Sequence, residues 1–147
     1  SDEARDLVDQ AVEHIQQHGL AASLDALHDR NGRFIDRDLY VFGFSRSGNY
    51  QVSGSDPSLV GQPAPPIATT DGDLLTAAVW RVDPQGGWID YQISHPQTLE
   101  IVEKTSYVRR VDDNLVVGCG VYKRQGLIAG KMNRVGNARA RTAAITV

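Results

Sequence analysis

The sequence predicts an α+β fold on three observations. Apolar residues at helical spacing fill the N-terminal end, the hydrophobic period changes to that of strands at Leu39, and three further strand-like runs follow in the C-terminal half. The order read is helix, helix, strand, strand, a long loop with a helix, then three strands.

In Asp2 to Gln17, Ala4, Leu7, Val8, Ala11, Val12 and Ile15 line one side of a helix, and most other positions are charged or Gln. Gly19 ends it, and Leu20, Leu24 and Leu27 mark a shorter helix over Leu20 to His28, closed by a turn at Asn31 and Gly32. LYVFGFSR, the turn Ser47-Gly48-Asn49 and YQVSG read as a hairpin. Pro57, Pro63, Pro65 and Pro66 exclude regular structure throughout residues 55–70, leaving an ordered loop with one helical turn at Pro57 to Val60. Asp71 to Val82 reads as a helix capped by Asp71 or Asp73 and stopped by Pro84 with Gly86-Gly87. The runs GWIDYQIS, LEIVEKTSYVRRV and LVVGCGVYK are strands, parted by His95-Pro96-Gln97-Thr98 and Asp112-Asp113-Asn114. Beyond Tyr122 the chain becomes rich in Gly, Arg and Ala, and residues 125–147 read as a tail or connector to a domain spanning residues 1–124.

A chain of 147 residues has the length of one domain, and 41% hydrophobic with 22% charged residues is a globular composition. Fifteen Lys and Arg against eighteen Asp and Glu give a net charge of -3, which argues against nucleic acid and anionic lipid as partners. No run of about 18 apolar residues occurs, so no membrane span or signal peptide is read in the sequence.

Catalytic and metal-binding chemistry finds little support. His14 and His18 stand four apart on the first helix, off its apolar stripe, with no third ligand nearby, and read as surface residues rather than a metal site. His28 and His95 are isolated. Phosphate-loop, dinucleotide and nucleophile-elbow motifs are all missing from the sequence, so no cofactor is expected. The single cysteine, Cys119, lies mid-strand and reads as a small buried side chain.

Large amphipathic side chains gather around one amine instead: Tyr40, Phe42, Trp80, Trp88, Tyr91, Lys104 and Tyr107. Aromatic residues in strands are usually core. Lys104 is different, because a Lys in the middle of a central strand is costly to bury unless something pairs with it. If the turn near His95 has an even loop length, Ile89 lies opposite Lys104 and Tyr91 opposite Val102, so Tyr91 and Lys104 share a face. An odd length would separate them.

GWIDYQISHPQT, the run Lys104-Thr105-Ser106-Tyr107-Val108, the closing NLVVGCGVY and the earlier LYVFGFSRSGNYQVSGSDPSLVGQ together resemble the single Cache sensor domains of bacterial chemoreceptors and sensor kinases. The similarity runs from about Asp2 to Tyr122, with Cys119 where Ser is more usual. It implies a PAS-like fold, a long N-terminal helix packed on a five- to six-stranded antiparallel sheet whose other face holds a small ligand beneath the long loop. It also implies a periplasmic location between transmembrane segments, a signalling module outside this chain, and a ligand such as acetate, propionate, pyruvate or lactate. Tyr40, Trp88, Tyr91, Lys104 and Tyr107 match the family's aromatic and Lys motifs. A homodimer through the N-terminal helix, a stand-alone soluble binding protein and a small hydrolase are the other readings.

Overall fold

The computed structural model describes residues 2–94 and 98–123. The turn expected at His95 to Gln97 and the tail or connector expected at 125–147 lie outside the described residues.

Helix α1, Asp2–His18, buries Ala4, Leu7, Val8, Ala11, Val12 and Ile15, the stripe read from the sequence. Gly19, at φ 85°, turns the chain into α2, Leu20–Leu27. Strands β1 (Ile35–Asp36), β2 (Leu39–Ser45), β3 (Tyr50–Ser53), β4 (Gly87–Ser94), β5 (Ile101–Asp112) and β6 (Leu115–Tyr122) form one antiparallel sheet, with helix α3 (Leu75–Arg81) between β3 and β4. The strand order is β1-β2-β6-β5-β4, with β3 also on β2. Thus β6, the last of the described strands, is inserted between β2 and β5.

Two elements differ from the sequence reading. Strand β1 is short and forms a tight hairpin with β2 through Arg37 at φ 60°, too brief to show an alternating pattern. Helix α3 begins at Leu75, because the preceding residues are used in a hairpin of their own. Ala68 pairs with Leu74, the Thr69 N–H donates to the Asp73 carbonyl at 2.7 Å, and Gly72 at φ 86° makes the turn. Neither Asp71 nor Asp73 caps the helix; Leu74 takes the cap position without a side-chain bond.

The sheet is covered on both faces. The α1 stripe packs on Val41, Val117, Tyr107 and Cys119. On the opposite face Phe42, Phe44, Tyr91, Val108 and Val116 pack with Leu75, Val79 and Trp80 of α3 and beneath Ala64 and Ile67 of the long loop. The apolar stripe of α1 is therefore consumed by its own sheet. Among the described residues no helix is long and apolar enough to cross a membrane.

Candidate functional site

Register decides which side chains meet. The β4–β5 ladder pairs Tyr91 directly with Lys104 and ends at Ser94 with Ile101. The expected pairing of Ile89 with Lys104 and Tyr91 with Val102 is thus displaced by two residues. A shift of two preserves the face, so Tyr91 and Lys104 still lie on the same side.

The β5–β6 ladder pairs Lys104 with Tyr122 on its other flank. The row across the sheet is therefore Tyr91, Lys104, Tyr122. The side chain of Lys104 passes over Gly120, where an added Cβ would lie 2.7 Å from Lys104 Cε and 2.5 Å from Ser106 Oγ. A glycine here makes the space for the lysine stem. The ammonium donates a 3.1 Å hydrogen bond to Tyr40 Oη and lies 5.0 Å and 4.8 Å from the ring centres of Tyr40 and Tyr122.

Lys104 is 3% exposed, yet among the described residues no carboxylate forms an ion pair with it. Two acidic groups on β4 and β5 are held elsewhere: Asp90 and Glu103 face Lys123 at 3.3 Å and 3.9 Å. An ammonium has three protons to donate, and Tyr40 Oη accepts one. The site thus presents a buried positive charge with donor capacity to spare, in a setting where an unpaired charge costs several kcal/mol, roughly.

The surroundings are phenolic. Tyr91 Oη and Ser106 Oγ are 2.8 Å apart, and burial pushes the Tyr91 hydroxyl well above its ordinary range, with the neighbouring Tyr40, Tyr50 and Tyr122 adding to the rise. Burial also raises Tyr50 and Tyr122. These hydroxyls stay protonated near neutral pH and can donate to an anion. Tyr50 enters from β3, held by the loop through Tyr50 N–H to the Gln62 carbonyl at 2.8 Å and Gly61 N–H to the Tyr50 carbonyl at 2.8 Å.

The seven residues expected at one site are divided by the fold. Tyr40, Tyr91 and Lys104 meet, and Phe42 lies on the same face further into the core. Trp80 packs on that face too, but at the far end. Its indole N–H donates to the Ser45 carbonyl, its carbonyl accepts from Arg110, and Arg46 and Arg110 lie over its ring. Arg110 is six strand positions from Lys104, or roughly 20 Å. Trp88 and Tyr107 pair with each other on the α1 face, ring centres 5.3 Å apart. Successive strand residues point to opposite faces, so neither reaches Lys104. Ser106 and Tyr122 join the cluster unforeseen, while Tyr50 packs its ring on Phe44 of the same face.

Other polar side chains are engaged structurally. His14 Nδ1 meets Ser23 Oγ at 2.7 Å, His28 Nε2 accepts from the Ser53 N–H at 3.0 Å, and the buried Cys119 thiol is pushed up to about 11 by desolvation. A cleft of about 510 Å³ between the end of α1 and the β5–β6 turn has Asp112 and no cation in its lining. It is unsuited to an anion.

No curated protein matches the chain. A crystal structure of a methyl-accepting chemotaxis protein from Vibrio parahaemolyticus is similar at a TM-score of 0.65 and 18% identity, over 82% of this chain and 86% of that one. A periplasmic sensor domain of a chemotaxis protein gives 0.59 and 25%, over 82% and 88%. The structure described as the basis for carboxylic acid recognition by a Cache chemosensory domain gives 0.59 and 23%, over 83% and 92%. The sequence profile of the Cache domain matches residues 7–125. With the helix-backed antiparallel sheet and its loop-covered face, that match over most of the chain shows that the protein belongs to the Cache domain family.

Proposed function

We propose that this domain is the periplasmic ligand-binding part of a chemotaxis receptor, and that it binds a small carboxylate at Lys104. The observation that carries this reading is the buried ammonium with no carboxylate partner among the described residues, bonded to the Tyr40 hydroxyl and flanked by the Tyr40 and Tyr122 rings. A single carboxylate satisfies such a site by pairing with the charge and accepting from the phenols at once. The structural neighbour described for carboxylic acid recognition supports the same chemistry. Binding alone is required, with no bond made or broken, and the signal passes to a module outside this domain.

A thermal-shift screen against two- to four-carbon monocarboxylates, amino acids, amines and sugars tests this. Ligand at about 100 times its dissociation constant adds about 2.7 kcal/mol of stability. Short monocarboxylates should raise the melting temperature while amines and sugars leave it unchanged. A shift with amines or sugars only would refute the carboxylate assignment, and a shift with amino acids only would refute the short monocarboxylate.

A further inference from the structure

Ser106 stands two residues from Lys104 on β5, on the same face of the sheet, and the β5–β6 ladder pairs it with Gly120. The point that a Gly120 Cβ would occupy lies 2.5 Å from Ser106 Oγ and 2.7 Å from Lys104 Cε. The two atoms are therefore at most about 5 Å apart, a gap that one small ligand bridges with hydrogen bonds of about 2.8 Å at either end. The ammonium itself reaches across Gly120 to Tyr40 Oη on β2, so the serine and the charge flank the glycine from opposite sides. Protons outnumber acceptors here. Ser106 and Tyr91 are both buried, and among the described residues their hydroxyls bond only to each other, at 2.8 Å. Burial holds Tyr91 protonated, so both hydroxyl protons are present at neutral pH. Whichever oxygen donates, their mutual bond uses one proton and leaves the other without an acceptor. The neighbouring ammonium likewise has protons to spare.

We propose that Ser106 Oγ is a second recognition point of the Lys104 site, accepting from Tyr91 and donating to the ligand, and that it selects a 2-oxo acid over the matching 2-hydroxy and unsubstituted acids. This rests on the carboxylate reading above. With the carboxylate drawn to the ammonium on the Tyr40 side of Gly120, the oxygen on the next carbon is the one that meets the serine. A keto oxygen only accepts, so it takes the spare proton and brings none. An alcohol oxygen also accepts, but its own proton then needs an acceptor among groups that are already donors. A plain alkyl chain leaves the serine proton unused, and a site built to bond an oxygen rejects the analogue without one.

Titration calorimetry with pyruvate, lactate and propionate tests the proposal on the wild-type domain, Ser106→Ala and Tyr91→Phe. Wild type should bind pyruvate at least about tenfold more tightly than propionate and at least about threefold more tightly than lactate. Ser106→Ala should bring the ratio of pyruvate to propionate affinity to within about threefold of unity while leaving propionate binding nearly unchanged. Tyr91→Phe should keep most of the preference, because Ser106 retains its proton, and loss of the preference there would overturn the assignment to Ser106. If propionate binds wild type as tightly as pyruvate, the carboxylate itself takes the serine proton. If lactate matches pyruvate, or the ratio survives in Ser106→Ala, the keto oxygen does not meet the serine. In each of these cases the inference fails and the carboxylate site stands. Ser106→Ala strands the Tyr91 hydroxyl, so if it unfolds, the double variant Ser106→Ala with Tyr91→Phe removes both partners and carries the same expectation. Unfolding of the double variant too makes the pair structural and overturns the inference. If no acid binds wild type, both readings fall.

Discussion

Gly120 controls where the ammonium of Lys104 can lie. A methyl group there meets Lys104 Cε and Ser106 Oγ well inside contact distance, so Gly120→Ala must move the flexible lysine stem or the serine. The expected outcome is a domain that folds with a loss of about 1–3 kcal/mol, measured by urea denaturation, and binds its acid at least about tenfold more weakly. His28 gives a pH prediction. Its Nε2 accepts from the Ser53 N–H, so the folded state holds the ring neutral, and burial lowers its pKa below the ordinary 6.5 although Asp25 pulls the other way. The unfolded chain therefore takes up a proton first as pH falls. This contribution is complete above 6.5 and is lost as pH drops toward the lower folded value. Melting temperature should fall between about pH 7.5 and about pH 5.5, and by less in His28→Gln, which keeps an acceptor without a titrating ring. His14, lowered by burial and then by the charges of His18 and Arg33, contributes in the same direction. At this scale Lys104 was legible, because a lysine mid-strand demands an explanation. The separation of Trp88 and Tyr107 from Lys104 was legible too, from strand alternation alone.

Among the elements, α1 is held by apolar contact more than by charge. Ile15 is 5% exposed against the sheet, while the Arg109–Asp9 pair at 3.0 Å joins side chains that are 33% and 43% exposed. Ile15→Ala should cost about 2–5 kcal/mol and Asp9→Ala less than about 1 kcal/mol in chemical denaturation. Equal costs would show that the helix is held chiefly by its ion pair. The stripe on α1 was readable because six residues at helical spacing repeat one signal. The start of α3 was not, because Asp71 and Asp73 look like caps locally and the competing hairpin from Ala68 to Leu74 depends on contact with distant Tyr91. The five longer strands carried alternating or continuous apolar runs and were read close to their bounds, while β1 was too short to carry a pattern.

For the whole molecule, the insertion of β6 between β2 and β5 is what assembles the site. It brings Tyr40 of β2 within reach of Lys104 on β5 and sets Tyr122 beside it. Sequence order gives no hint of that neighbour, which is why Tyr122 and Tyr50 were missed although the strands themselves were found. The site also lies at the end of the sheet where the described chain both begins and leaves. Glu3 of α1 bonds Arg37 next to β2, and β6 ends at Tyr122 against Lys104. Lys123 follows, its N–H on the Glu103 carbonyl at 3.0 Å and its ammonium facing Asp90 and Glu103. On the proposed carboxylate site, the bound anion would lie beside Tyr122 and next to Lys123, the last of the described residues. That Lys104 is the anion anchor is the claim on which the functional account depends, and titration calorimetry on Lys104→Met and Glu103→Gln addresses it. Met keeps the apolar stem and removes the charge, so the unliganded domain should be at least as stable as wild type. Binding of the acid that stabilises wild type most should weaken by about 2–5 kcal/mol in Lys104→Met and change only a few-fold in Glu103→Gln, whose side chain points to the other face. Near-wild-type binding by Lys104→Met would contradict the account.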